Sequence, residues 1–225
     1  MDNSFSRSRR HSAHPALSDQ VKRTLSQTFT CVGVMLAITA GVSYATMGMS
    51  IGLGGQILLL VGAIVTIIGI LFNRNNSFGV VLLGVLSAIL GASFGPALAM
   101  HLAMPNGGQN VGLAAGLTAA ATFACASYSL TTRKDFSRWR GFLFGALIVL
   151  VLAGIAGIFL PIPGLHLALS AAGSLLFLAY LLMDVSDVVN GNETNYIVAS
   201  VNIYLDIFNL FVNLLRLIGI LGSDD

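Results

Sequence analysis

The chain has 225 residues, of which 56% are hydrophobic and only 9% charged, and its formal net charge is +2. Soluble domains carry about 25% charged residues, so this composition excludes a protein whose whole surface faces water. No nucleic-acid partner is expected; the partner the composition demands is a lipid bilayer.

The chain opens on a polar, Ser- and Arg-rich stretch, and residues 1–25 are predicted to form a disordered tail. A bilayer core is about 30 Å thick and needs about 20 apolar residues per spanning helix. Seven runs meet that requirement: about 26–48, 54–73, 78–101, 109–131, 141–161, 165–189 and 196–221, with 222–225 as a short C-terminal tail. The first run starts too far from Met1 for a signal peptide and lacks a small-residue cleavage site, so it is expected to be retained. Small residues recur every four positions at Gly91 and Gly95, at Gly112, Gly116 and Ala120, and at Gly141 and Gly145. This spacing predicts faces on which helix backbones approach closely. Pro96 predicts a kink in the third helix. Cys31 and Cys125 fall inside apolar runs and are expected to be small buried core residues rather than a disulfide or metal site. The fold class expected is all-α and integral to the membrane, a bundle of seven transmembrane helices.

Positive charge sets the orientation. Of the eleven Lys and Arg, five precede the first run, Arg74 lies between the second and third, and Arg133, Lys134, Arg138 and Arg140 lie between the fourth and fifth. Alternating helices put these ten on one side, and cytoplasmic loops carry the Lys/Arg excess. The N-terminus is therefore predicted to be cytoplasmic.

The last two helices carry the chemistry. Asn202, Asp206, Asn209, Asn213 and Arg216 recur at spacings of four and three. At about 100° per residue they occupy an arc of roughly 80°. Such a face is too costly to turn toward lipid, so the seventh helix is predicted to be central, with its asparagines bonding across helices. The sixth helix carries a matching seam through His166, Ser170, Gly173, Phe177, Tyr180, Asp184 and Asp187. At about 1.5 Å rise per residue, Asp184 and Asp206 lie roughly 10 and 16 Å from the intervening turn, so the two acids are able to face each other. Two carboxylates at close range cannot both ionise cheaply and share one proton. When both ionise they repel, and the gap can open or admit a hard cation such as calcium, transiently, as a permeant ion. Arg74, on the same side of the membrane, is a candidate latch for Asp184. Arg216, His101 and His166 are expected at the far interface. No cofactor is expected. No His-Glu-x-x-His or Gly-x-Gly-Asp motif is present, so catalysis is not expected.

At these residues the chain resembles the Bax inhibitor-1/YccA family, most closely its bacterial YccA branch. The likeness runs through Asn192-Glu193-Thr194-Asn195-Tyr196-Ile197 and Ile203-Tyr204-Leu205-Asp206-Ile207-Phe208-Asn209-Leu210-Phe211. It extends to Leu130-Thr131-Thr132-Arg133-Lys134-Asp135, Gly95-Pro96 and Gly164-Leu165-His166-Leu167-Ala168. The resemblance implies seven helices, six of them surrounding the seventh, in a bacterial inner membrane. It implies binding and modulation of FtsH, a membrane-anchored quality-control protease able to grip the N-terminal tail. As an alternative it implies a pH-sensitive calcium leak gated by an aspartate pair, which Asp184 and Asp206 match by position.

Overall fold

The computed structural model describes residues 17–160 and 162–222. Seven helices follow in order: α1 (Asp19–Thr46), α2 (Leu53–Phe72), α3 (Ser77–Leu102), α4 (Gly107–Thr132), α5 (Arg140–Phe159), α6 (Leu165–Val189) and α7 (Tyr196–Leu221), with a single 3-10 turn at Ser137–Trp139 ahead of α5. All seven runs are long and apolar enough to cross a membrane, and the fold is a seven-helix transmembrane bundle.

Helix α1 begins at Asp19, well before the expected residue 26. The Ser18 hydroxyl accepts from Val21 N–H at 3.3 Å and Asp19 sits in the first turn, the capping chemistry that starts a helix. Its 28 residues span about 42 Å, longer than the hydrocarbon core, so the polar first turns project beyond it. The tail predicted for residues 1–25 is thus helical from Asp19 onward; residues 1–16 lie outside the described segment.

Helix α7 packs on α1, α2, α3, α4 and α6 and is central, as its polar seam predicts. Helix α5 is the exception to six helices around a seventh: it packs on α6 and leaves α7 untouched. A cavity between α5, α6 and α7 accounts for the gap.

Of the three small-residue stripes, only the first brings backbones together. A Cβ at Gly91 would lie 2.8 Å from the Thr39 carbonyl oxygen of α1, and one at Gly95 would lie 2.9 Å from the Ser43 carbonyl oxygen. The approach lets the Ser43 hydroxyl donate to the Gly91 carbonyl at 3.0 Å and the Thr39 hydroxyl to the Ser87 carbonyl at 3.2 Å. Thr39 Oγ1 also hydrogen-bonds the hydroxyl of Tyr204, a fully buried α7 side chain, at 2.7 Å. At Gly112, Gly116, Gly141 and Gly145 a Cβ would meet nothing within 4 Å. These four glycines stand on open faces; α4 buries Ala114, Thr118, Cys125 and Ser129 instead, and α5 buries Leu143.

Three loops and the start of α1 meet at one end of the bundle, called here the basic face. The Asn195 amide donates to the Arg74 carbonyl at 2.9 Å and to Asn75 Oδ1 at 3.0 Å. The Thr24 hydroxyl donates to the Thr194 carbonyl at 3.4 Å.

Candidate functional site

The turn between α6 and α7 positions the site. Helix α6 closes in a Schellman arrangement: Gly191 N–H donates to the Val188 carbonyl and Asn192 N–H to the Asp187 carbonyl. This requires a left-handed residue just past the helix, and Gly191 supplies it at φ +76°. Asn195 then caps α7, its side-chain oxygen accepting from Ile197 N–H at 3.0 Å and Val198 N–H at 3.2 Å. The tight reversal lays α6 antiparallel to α7 and fixes their register.

In that register Asp184 and Asp206 face each other. Their carboxyl groups lie close enough to interact directly, and a hydrogen bond between them would need a proton on one, since a carboxylate oxygen can only accept. Asp206 is 5% exposed. Among the described residues no N–H or hydroxyl hydrogen-bonds its buried Oδ2. Both acids line a cavity of about 1030 Å³ that also touches Tyr180, Asp187, Asn202 and Asn209. It reaches from Asn192 and Glu193 at the basic face to Asn209, midway along α7. The site thus has polar walls and a path toward water, yet its deepest carboxylate is almost fully enclosed.

Arg140, at the first position of α5, lines this cavity at the basic face. Its guanidinium donates to Asp187 Oδ2 at 2.5 Å, where Asp187 is 4% exposed and Arg140 is 65% exposed. Asn192 Nδ2 donates to Asp187 Oδ1 at 3.3 Å and to Asp135 Oδ1 at 3.3 Å. The Lys134 carbonyl accepts from the Ser186 hydroxyl at 2.7 Å and from the Asn190 amide at 3.1 Å. The α4–α5 loop is therefore strapped to the end of α6. Asp135 accepts from Ser137 N–H at 2.8 Å. That backbone bond, helped by Asn192 and the nearby Arg138, holds its carboxyl below the ordinary value. The latch expected of Arg74 takes a different form. Among the described residues no ion pair joins Arg74 to Asp184, because Arg74 sits beside the start of α7 and offers only its carbonyl, to Asn195. The cation at the cavity is Arg140.

The asparagines also differ from expectation. Asn209 Nδ2 donates to the Leu205 carbonyl and Asn213 Nδ2 to the Asn209 carbonyl, each at 2.8 Å. Both amides therefore bond within α7 rather than across helices. Asn213 marks a boundary. It lines a second cavity of about 540 Å³ at the opposite face, with Ser170, His101, His166 and Arg216. Asn209, one turn away, lines the first cavity. Between them the backbone of Gly173 is pressed against the Asn213 amide, so closely that a Cβ there would lie 2.5 Å from Asn213 Oδ1.

Sequence reading found the acids, Tyr180 and the polar seam. It missed the Arg140–Asp187 pair, which joins residues 47 positions apart and leaves no periodic trace. It also missed the Thr39–Tyr204 bond, whose members look like ordinary apolar-run residues.

A family model described as "Inhibitor of apoptosis-promoting Bax1" matches residues 21–223. The chain is 42% identical over 102 residues to the "Modulator of FtsH protease YccA" of Escherichia coli, covering 45% of this chain and 47% of that protein. It is 34% identical over 206 residues to an uncharacterised protein of Pseudomonas aeruginosa, covering 92% and 93% of the two chains. It is 40% identical over 101 residues to a "Golgi anti-apoptotic protein" of vaccinia virus, covering 44% and 43%. The matched stretch thus spans under half the length of the E. coli and viral relatives.

Proposed function

The chain belongs to the Bax inhibitor-1 family, and from that membership we propose that it is an inner-membrane regulatory protein that binds and modulates an FtsH-type membrane protease. The observation that carries this reading is the similarity to the E. coli protein described as an FtsH modulator. In this reading the basic face is cytoplasmic, as the Lys and Arg distribution favours, and residues 2–16 are the segment the protease grips. Deleting 2–16 leaves the Ser18 cap of α1 in place. In proteoliposomes holding both proteins, the deletion should abolish the chain's effect on degradation of a membrane substrate. An undiminished effect argues against this reading.

A second reading is favoured by one feature of the site, the paired carboxyls on a cavity that leads to the basic face. It is a proton-regulated cation leak. With one proton shared, Asp184 and Asp206 bind each other and hold α6 to α7. Loss of that proton sets two negative charges against each other at short range, which parts the helices and offers oxygen ligands suited to calcium. Calcium flux into proteoliposomes of the purified chain should depend on pH, and Asp184→Asn and Asp206→Asn should each flatten that dependence. Equal flux at acidic and neutral pH in the unmodified protein rejects this reading.

A further inference from the structure

We propose that the face opposite the carboxyl pair binds one anionic phospholipid, its phosphate held in the cavity of Arg216, His101 and His166 and one acyl chain lying in a groove between α5 and α6. Two separate features meet there. The first is the cavity of about 540 Å³, which has a permanent cation in Arg216 and two imidazoles, with no carboxylate among the described residues lining it. The His101 ring is fixed: its Nδ1–H donates to the Ala97 carbonyl at 2.8 Å, which leaves Nε2 toward α7, 3.7 Å from where a Cβ on Gly219 would stand. The imidazole thus lies alongside the helix that carries Arg216, where a Cβ at 219 would stand 3.4 Å from its Cδ2. The Arg216 guanidinium is a donor fork for phosphate oxygens, which a ring nitrogen joins as a donor only where its imidazole is protonated.

The second feature is an apolar groove of about 620 Å³ along α5 and α6, floored by Gly141, Gly145, Ala146, Ala153 and Ala172. It joins the cationic cavity directly, since Leu169 lines both and Ala153 of the groove is followed by Gly154 of the cavity. From Gly141 to Ala153 the groove runs about 18 Å, against about 15 Å for the hydrocarbon of one leaflet. Its length therefore suits one acyl chain. The depression is open, because a Cβ at Gly141, Gly145 or Gly154 would meet nothing within 4 Å. Phe142, Val149 and Leu152 on α5 are exposed on the outside of the bundle, so the groove meets lipid.

Charge selects the occupant. The cavity at the basic face is lined by Asp184, Asp187, Asp206 and Glu193, with Arg140 paired to Asp187, and its acidic excess disfavours an anion, whereas the opposite cavity attracts one. A zwitterionic headgroup adds its own cation near Arg216 and gains less.

Native mass spectrometry of the purified full chain tests this, with phosphatidylglycerol and phosphatidylcholine of matched acyl chains as probes. Phosphatidylglycerol should be retained preferentially, by about tenfold for a charge-assisted pair. Arg216→Gln should bring it to the phosphatidylcholine level, with Arg216→Lys recovering part of the preference. Gly145→Leu, whose Cβ would meet nothing within 4 Å, puts a side chain into the groove and should weaken retention of the lipid while leaving binding of soluble glycerol phosphate unchanged. Three results overturn the proposal: equal retention of the two lipids, retention indifferent to Arg216→Gln, or retention indifferent to Gly145→Leu. A dimer that Gly145→Leu dissociates would likewise overturn it, by assigning the groove to a second copy of the chain. None of these readouts depends on the effect on a protease or on ion flux.

Discussion

Replacing Arg140 with Gln tests the strap at the basic-face end of the acidic cavity. Asp187 is 4% exposed and accepts from Arg140 at 2.5 Å, with Asn192 as its other side-chain donor at 3.3 Å. Losing one member of a fully buried ion pair costs about 3–5 kcal/mol, and a fully exposed pair contributes about 0–1 kcal/mol. Arg140 is 65% exposed, so water screens its side of the pair, while Asp187 remains enclosed. The expected cost lies between those limits, at about 2 kcal/mol. Thermal unfolding of purified protein in detergent is the assay, read as a double-mutant cycle. Arg140→Gln should lower stability clearly, and adding Asp187→Asn should restore much of the loss, because the buried charge left without a cation is then removed. Strictly additive effects of the two substitutions, or a loss below about 0.5 kcal/mol for Arg140→Gln, would refute the pairing as a structural strap.

Gly91→Ala places a methyl 2.8 Å from the Thr39 carbonyl oxygen and should cost about 1–3 kcal/mol by overpacking, whereas Gly116→Ala, with nothing within 4 Å, should be neutral or stabilising in the same melting assay. Gly173→Ala drives a methyl against the Asn213 amide. It should destabilise by a similar amount, about 1–3 kcal/mol, and Asn213→Ala in the same chain should recover most of the loss. Asp135 is held below its ordinary value by the Ser137 N–H. Its stabilising effect is therefore full above the ordinary carboxylate range, about 4, and disappears as pH falls through the lower folded value. Hydrogen exchange at Ser137 N–H, after correction for intrinsic rates, should lose protection over that acidic window in the unmodified protein and show none of the transition in Asp135→Asn.

The bundle was legible because its signals are local. Hydropathy marks every span, and the three–four spacing on α7 marks the helix that cannot face lipid. The acids were legible for the same reason, since a short turn between two periodic helices fixes the relative depth of Asp184 and Asp206. What escaped the sequence is whatever depends on a third helix. Gly91 and Gly145 look alike in the chain, yet one touches the backbone of α1 and the other faces open space, because the identity of the neighbouring helix is not written in a four-residue repeat. Asn209 and Asn213 were expected to reach across helices and instead bond within their own: Asn209 fronts the cavity between α5, α6 and α7, and Asn213 turns its donor to its own helix although Gly173 of α6 lies against it. The early start of α1 escaped for a simpler reason: a hydropathy window ends where charge begins, but the Ser18 cap extends a helix through polar residues.

Infrared difference spectroscopy of the purified chain, with band assignment by Asp184→Asn and Asp206→Asn, is the most direct measurement of whether the two α6–α7 carboxyls hold a single proton. A carboxylic-acid carbonyl band and a carboxylate band should occur together in the same spectrum, and either substitution should perturb both. Carboxylate bands alone, or two bands that respond independently to the two substitutions, would show a pair of separate acids with no proton between them.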